Sequence, residues 1–151
     1  MKQEYPPLFA PGLVEITMDD LERLFVEPFE SPWARRRLVE RLRDLIAVLQ
    51  EIGLSCEVWI DGSFLTFKPE PSDIDMVILS DDESRAKLTV SQCSTLDKLI
   101  KNKDRTRYRY KCDLSFCGRH DVKQRDYWFR LYGYSRSKQP KGIARLSLAV
   151  S

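Results

Sequence analysis

Apolar positions along the chain change their spacing from segment to segment, and each spacing predicts an element. Leu38, Leu42, Leu45, Ile46, Leu49 and Ile52 recur three and four residues apart, one face of a helix. Ser31 as N-cap, Pro32 at the first helical position and Gly53 as a stop bound that helix to 32–52. Before it, Thr17 followed by Asp20, ahead of Leu21, Leu24 and Phe25, predicts a short helix that Pro28 ends. The period then drops to two. Leu54, Cys56, Val58 and Ile60 alternate with Ser55, Glu57 and Trp59, which predicts a strand over 54–60. Ile74 to Leu79 is apolar on nearly every residue past Asp75, as a central strand covered on both faces requires.

Beyond residue 80 the pattern is less regular. Ala86, Val90, Cys93, Leu96, Leu99 and Ile100 predict one helix within 81–102, although Thr89, Val90 and Thr95 weaken its propensity. Thr106 to Phe116 reads as a third strand, 121–132 as an aromatic-rich helix, and Ile143 to Val150 as a final strand after the polar loop 135–142. Within the aromatic helix, Tyr127, Trp128 and Tyr132 read as core, with a base-stacking platform as the competing use. No internal repeat or low-complexity tract interrupts the series.

Composition narrows the class. At 151 residues the chain is one domain long and buries roughly 68–70% of its unfolded surface. With 42% hydrophobic residues against 32% charged, it is globular. Lys and Arg number 25 against 23 Asp and Glu, so no global charge draws it to nucleic acid, and any polarity is local. Arg35, Arg36, Arg37, Arg41 and Arg43 crowd the polar side of helix 32–52. They read as a solvated face partly paired by Glu40 and Asp44, with an RNA-contacting surface as the alternative. The longest apolar run, residues 45–49, is far below the roughly 20 residues of a membrane span. Residues 1–7 carry no signal-peptide apolar stretch, so the expected location is cytoplasmic. Cys56, Cys93, Cys112 and Cys117 form no CxxC pair and are expected reduced. With them and the lone His120, zinc is excluded, and metal chemistry falls to carboxylates, which select Mg2+ or Mn2+.

The carboxylates are suggestively placed. Asp73 and Asp75 sit two apart at the head of a strand, on one face, where two negative charges repel unless a cation lies between them. One Asp-x-Asp pair is expected by chance among 13 aspartates, so the context decides. Ten residues earlier stands Asp61-Gly62-Ser63, where glycine permits a tight turn and free N–H groups with the Ser63 hydroxyl can cradle phosphate. Asp113 lies inside a predicted strand, where an acidic residue needs a partner such as that metal. Strand alternation puts Arg105, Arg107, Arg109 and Lys111 on the face of Asp113, with strand-edge protection as the competing reading. An EF-hand starting at Asp73 fails, because Ile78 and Ser84 occupy its required Gly and Glu positions. No GxxxxGK[ST] phosphate loop or GxSxG elbow is present.

Gly62-Ser63, then Asp73-Ile74-Asp75, then Asp113 on a later strand resembles the polymerase-beta-like nucleotidyltransferase superfamily, over about residues 32–116. The flanks, Pro11-Gly12 and Lys141 to Leu146, look like its small stand-alone bacterial or prophage members of uncharacterised function. The resemblance implies an α/β (α+β) fold in one minimal domain spanning 1–151, with a mixed sheet of about four or five strands flanked by helices and a C-terminal helix and strand within 121–150. It implies Mg2+ (or Mn2+) held by Asp73, Asp75 and Asp113 as catalytic residues, and nucleotide phosphates held by Gly62 and Ser63. Arg109, Lys111 and Lys141 are the candidate phosphate or acceptor contacts. The implied reaction passes a nucleoside monophosphate from a nucleoside triphosphate such as ATP to a hydroxyl of RNA, such as a tRNA 3′ end, or of a protein, in a toxin–antitoxin or phage-defence pair. An inactive domain of the same fold, binding a partner protein or RNA through its arginine faces, is the alternative. Only about 35 residues follow Phe116, so recognition of base and acceptor must come from a short tail or from another chain.

Overall fold

The computed structural model describes residues 3–149, and its core is organised by the long helix predicted above. The elements run β1 (Gly12–Ile16), α1 (Asp20–Phe25), α2 (Trp33–Ile52), β2 (Cys56–Asp61), a 3-10 turn (Gly62–Leu65), β3 (Ile74–Ser80), α3 (Asp82–Ala86), α4 (Val90–Lys101), α5 (Lys103–Tyr110), β4 (Cys112–Gly118), α6 (Val122–Tyr132) and β5 (Gly142–Leu148). In α2 every predicted core position from Leu38 to Ile52 is buried, and Gly53 adopts the left-handed C-cap (φ 79°) with its N–H on the Leu49 and Gln50 carbonyls. The start shifts by one residue, with Pro32 itself in the cap position.

The five strands form one mixed sheet in the order β1-β5-β2-β3-β4. β1 and β5 are parallel, as are β3 and β4, while β2 runs antiparallel to both neighbours. The predicted α/β class, one domain with a mixed sheet of about four or five strands flanked by helices, is the observed one, with five strands. Val58, Ile60, Met76, Ile78, Leu114 and Leu146 face the main core with α2. The alternate residues Trp59, Val77, Leu79, Cys117 and Ile143 pack with Tyr132 of α6 on the other face. β3 is thus covered on both sides, as its sequence requires.

Several expectations change. The single helix over 81–102 is two, because Thr89 begins a new one: its hydroxyl accepts from the Gln92 N–H while the Gln92 side chain accepts from the Thr89 N–H. The residue that weakened the helix is its successor's cap. The strand expected over 106–116 begins only at Cys112. Before it lies α5, capped by Asn102, whose buried residues Thr106 and Tyr110 are four apart. The Arg–Tyr alternation mimicked period two, but the core requires only those two contacts. Arg35 lies fully buried rather than on a solvated face. Of the aromatic trio, Tyr132 is buried and Trp128 packs against the second core, but Tyr127 is 58% exposed. β1 had no counterpart among the expected strands, and Val150 of the predicted last strand lies outside the described residues. Cys56, Cys93, Cys112 and Cys117 are free thiols, as expected. No helix among the described residues is long and apolar enough to cross a membrane.

Candidate functional site

Strand register assembles the aspartates. Asp61, last residue of β2, pairs with Asp75 of β3, and Asp75 pairs with Asp113 of β4. Residues paired across neighbouring strands share a face, so three carboxylates stand in one row, about 4.8 Å apart from strand to strand. Asp73 stands just before β3 and its carboxylate acts electrostatically on that of Asp75.

Gly62 turns the chain at the end of this row. Its φ of 81° lies in the left-handed region, and a Cβ there would meet Asp75 Oδ2 at 2.7 Å. Ser63 follows in the 3-10 turn. Its carbonyl accepts from the N–H and the hydroxyl of Thr66, while among the described residues its own hydroxyl bonds to none. Arg35 fixes the far end of the turn from below, donating to the carbonyls of Phe64, Thr66 and Lys68.

Each carboxylate other than Asp75 faces a cation. Arg107 Nη2 donates to Asp73 Oδ2 at 2.8 Å, and Lys103 Nζ lies 3.5 Å from Asp113 Oδ1. These two cations are one helical turn apart on α5, so the helix that replaced the expected strand delivers them. Lys141 Nζ stands 3.1 Å from Asp61 Oδ1 and pairs its charge with that buried carboxylate. A cleft of about 310 Å³ opens beside Asp73, lined by Ser72, Asp104, Arg107, Tyr108 and Lys111.

A family model described as "Family of unknown function (DUF6932)" matches residues 2–147. The chain belongs to this DUF6932 family. No curated protein and no solved structure matches it.

In this DUF6932 chain the row is electrostatically costly. Burial pushes the Asp61 carboxyl up to about 7, with Lys141 opposing and Asp75 adding to the rise. Asp75 is raised by burial first, then by the charges of Asp73 and Asp113. Burial, reinforced by Asp75, Asp61 and Asp113, also holds the Tyr132 hydroxyl well above its ordinary range, so it stays neutral.

The donor set suits a hard divalent ion, being oxygen throughout, and the mutual repulsion of the buried Asp61 and Asp75 carboxylates, to which Asp73 and Asp113 add, would be relieved by one. As the side chains stand, no three carboxylate, thiol or imidazole groups among the described residues converge as an ion's ligands, and Arg107, Lys103 and Lys141 supply the balancing charge.

Of the sequence-selected residues, the DUF6932 fold brings together Gly62, Ser63, Asp73, Asp75, Asp113 and Lys141, with Lys111 at the rim. Arg109 is not brought in: it is exposed, with its guanidinium over the Tyr110 ring. Lys103 had no expected role, and Arg107 was expected on a strand. Asp61 was seen only as the residue before Gly-Ser. The alternation that puts Glu57 and Trp59 on one face of β2 carries Asp61 to the same face, and that signal could have found it.

Proposed function

We infer that the protein is a Mg2+-dependent nucleotidyltransferase, moving a nucleoside monophosphate from a nucleoside triphosphate to a hydroxyl of RNA or protein. The observation that carries this reading is the row Asp61–Asp75–Asp113 with Gly62 turning tightly against Asp75. Asp73, Asp75 and Asp113 are the residues that would hold Mg2+; when bound, the ion neutralises the triphosphate and lowers the pKa of the attacking hydroxyl.

The chain's own groups have separable tasks. Gly62 and the Ser63 hydroxyl, which has no partner among the described residues, offer donors to phosphate oxygens. Arg107 and Lys103, one helical turn apart on α5, would be free to neutralise triphosphate charge once displaced from Asp73 and Asp113. In the transfer, the acceptor oxygen forms a bond to the α-phosphorus while the bond to the bridging oxygen of the β-phosphate breaks, releasing pyrophosphate. The acceptor's proton passes to Asp113.

The same ion pairs favour a second reading, an inactive domain of this fold that binds a partner, because they satisfy Asp73 and Asp113 without a metal. Incubation with labelled nucleoside triphosphates and MgCl2, beside an Asp73→Ala/Asp75→Ala double variant, separates the two. Metal-dependent pyrophosphate release lost in the variant supports transfer. Equal release in both samples, or none with any nucleotide and acceptor, supports the binding module.

A further inference from the structure

The sheet face that carries the aspartates has a second polar cluster at its other end, which nucleotidyl transfer does not use. Glu57 precedes Asp61 by four residues on β2, so it shares that face about 13 Å away along the strand. It is only 4% exposed, yet it receives three guanidiniums from three separate parts of the chain. Arg119, just after β4, donates its Nε to Oε2 at 3.0 Å; Arg125 of α6 donates Nη1 to Oε2 at 3.0 Å; Arg145 of β5 donates Nη1 to Oε1 at 3.4 Å. Arg125 also lies over the Trp59 ring, 5.0 Å from its centroid.

These arginines, with His120, Val122 and Ser147, line a cleft of about 400 Å³, inside the roughly 300–1,000 Å³ of small-molecule sites. Its lining has one aliphatic side chain, Val122, and one ring, the imidazole of His120, so it offers little for an apolar group to rest on. What it offers is donors. Glu15 takes two N–H groups of Arg145 and Asp81 takes one of Arg119, but each guanidinium carries five, and several in the cluster have no acceptor among the described residues. Glu57 lies beneath them and pins their planes, which removes the ordering cost a ligand would otherwise meet. Pinned guanidinium forks suit an anion with several acceptor oxygens.

We propose that this cleft is a phosphate-binding site, in which Arg119, Arg125 and Arg145 hold one phosphoryl group without a metal. It is distinct from the aspartate row and does not depend on nucleotidyl transfer.

The test is calorimetric titration of the full chain with inorganic phosphate in the presence of a chelator, so that the aspartate row holds no metal. The wild type should bind one phosphate saturably. The Ser147 hydroxyl makes no hydrogen bond among the described residues, and Ser147→Glu puts a carboxylate into the cleft beside the arginines, which should weaken phosphate by about tenfold or more while the fold is retained. Arg119→Lys keeps the charge but loses the fork, and should weaken binding in the same direction if Ser147→Glu does not fold. Asp75→Asn should bind as the wild type does, whether or not it transfers nucleotides.

Competition by a dephosphorylated oligoribonucleotide would identify the source as a diester backbone, and competition only by a phosphomonoester a terminal or free phosphate; both support the site. Absence of saturable phosphate binding, equal binding by the wild type and both cleft variants, loss of binding in Asp75→Asn, or acetate binding as tightly as phosphate would each overturn it.

Discussion

Replacing Arg35 by leucine tests whether one buried guanidinium holds the Gly62–Leu65 turn in place. Arg35 is 0% exposed on α2 and donates to the carbonyls of Phe25, Phe64, Thr66 and, twice over, Lys68, while its guanidinium carbon sits 3.7 Å above the Phe29 ring. Burial pulls its pKa down to about 10, so it remains charged at neutral pH. Leucine fills part of the volume but strands four acceptors. Those of Thr66 and Lys68 lie where water can reach them, whereas Phe25 and Phe64 are buried, and an unsatisfied buried acceptor costs about 1–3 kcal/mol. Relief from burying the charge offsets part of this. The net loss is about 2–4 kcal/mol, or roughly 10 °C in a chain of this size, at ~2–4 °C per kcal/mol. Urea and thermal unfolding of the wild type, Arg35→Leu and Arg35→Lys supply the numbers. Lysine keeps the charge, yet one ammonium cannot span four carbonyls, so it should recover less than half. A loss below about 1 kcal/mol in the leucine variant, or full recovery by lysine, refutes the reasoning.

Three further outcomes follow from the geometry. Gly62→Ala combines a left-handed φ, worth about 1–2 kcal/mol, with a Cβ 2.7 Å from Asp75 Oδ2; pyrophosphate release should fall about 100-fold, far beyond the modest shift in unfolding midpoint. Burial alone raises the Glu57 carboxyl, but hydrogen bonding and charge from Arg125, joined by Trp59 and Arg119, outweigh it and hold it below its ordinary 4.5. The unfolded chain therefore takes up this proton first, so stability present above pH 4.5 declines as the pH falls below it, and chemical unfolding of Glu57→Gln across that range should show a shallower decline. Cys93 is exposed, whereas burial pushes the thiols of Cys56 and Cys112 up to about 12 and raises that of Cys117; a thiol reagent should label one cysteine in the native chain and four after denaturation.

What could be read from the sequence was what one period or one motif encodes. The α2 stripe from Leu38 to Ile52 and the buried run of β3 each carry their own signal, and both elements fall close to where they were expected. α5 was hidden because Arg105 to Tyr110 satisfies two periods at once, and only packing against α2 and β4 selects the helical one. β1 has five residues and is held by a partner strand near the other end of the sequence, a tertiary fact with no local signature. At the site, Gly62, Asp75 and Asp113 were legible through spacing. Lys103 and Arg107 were not, since their approach depends on α5 being a helix. Arg35 looked like its neighbours Arg36 and Arg37, and only the direction of its side chain, fixed by α2's seat on the core, sets it apart.

The position of β5 bears on how the chain is made. It is the last strand in sequence but lies inside the sheet, between β1 and β2. During synthesis, β1 through β4 are made before the strand that joins β1 to the rest exists. Until residues 142–148 emerge, β2 presents an open row of backbone donors and acceptors, the kind of edge on which chains aggregate. This sheet is thus completed only when residues 142–148 are free to pair, and a nascent chain stalled short of residue 142 would need a chaperone to cover β2.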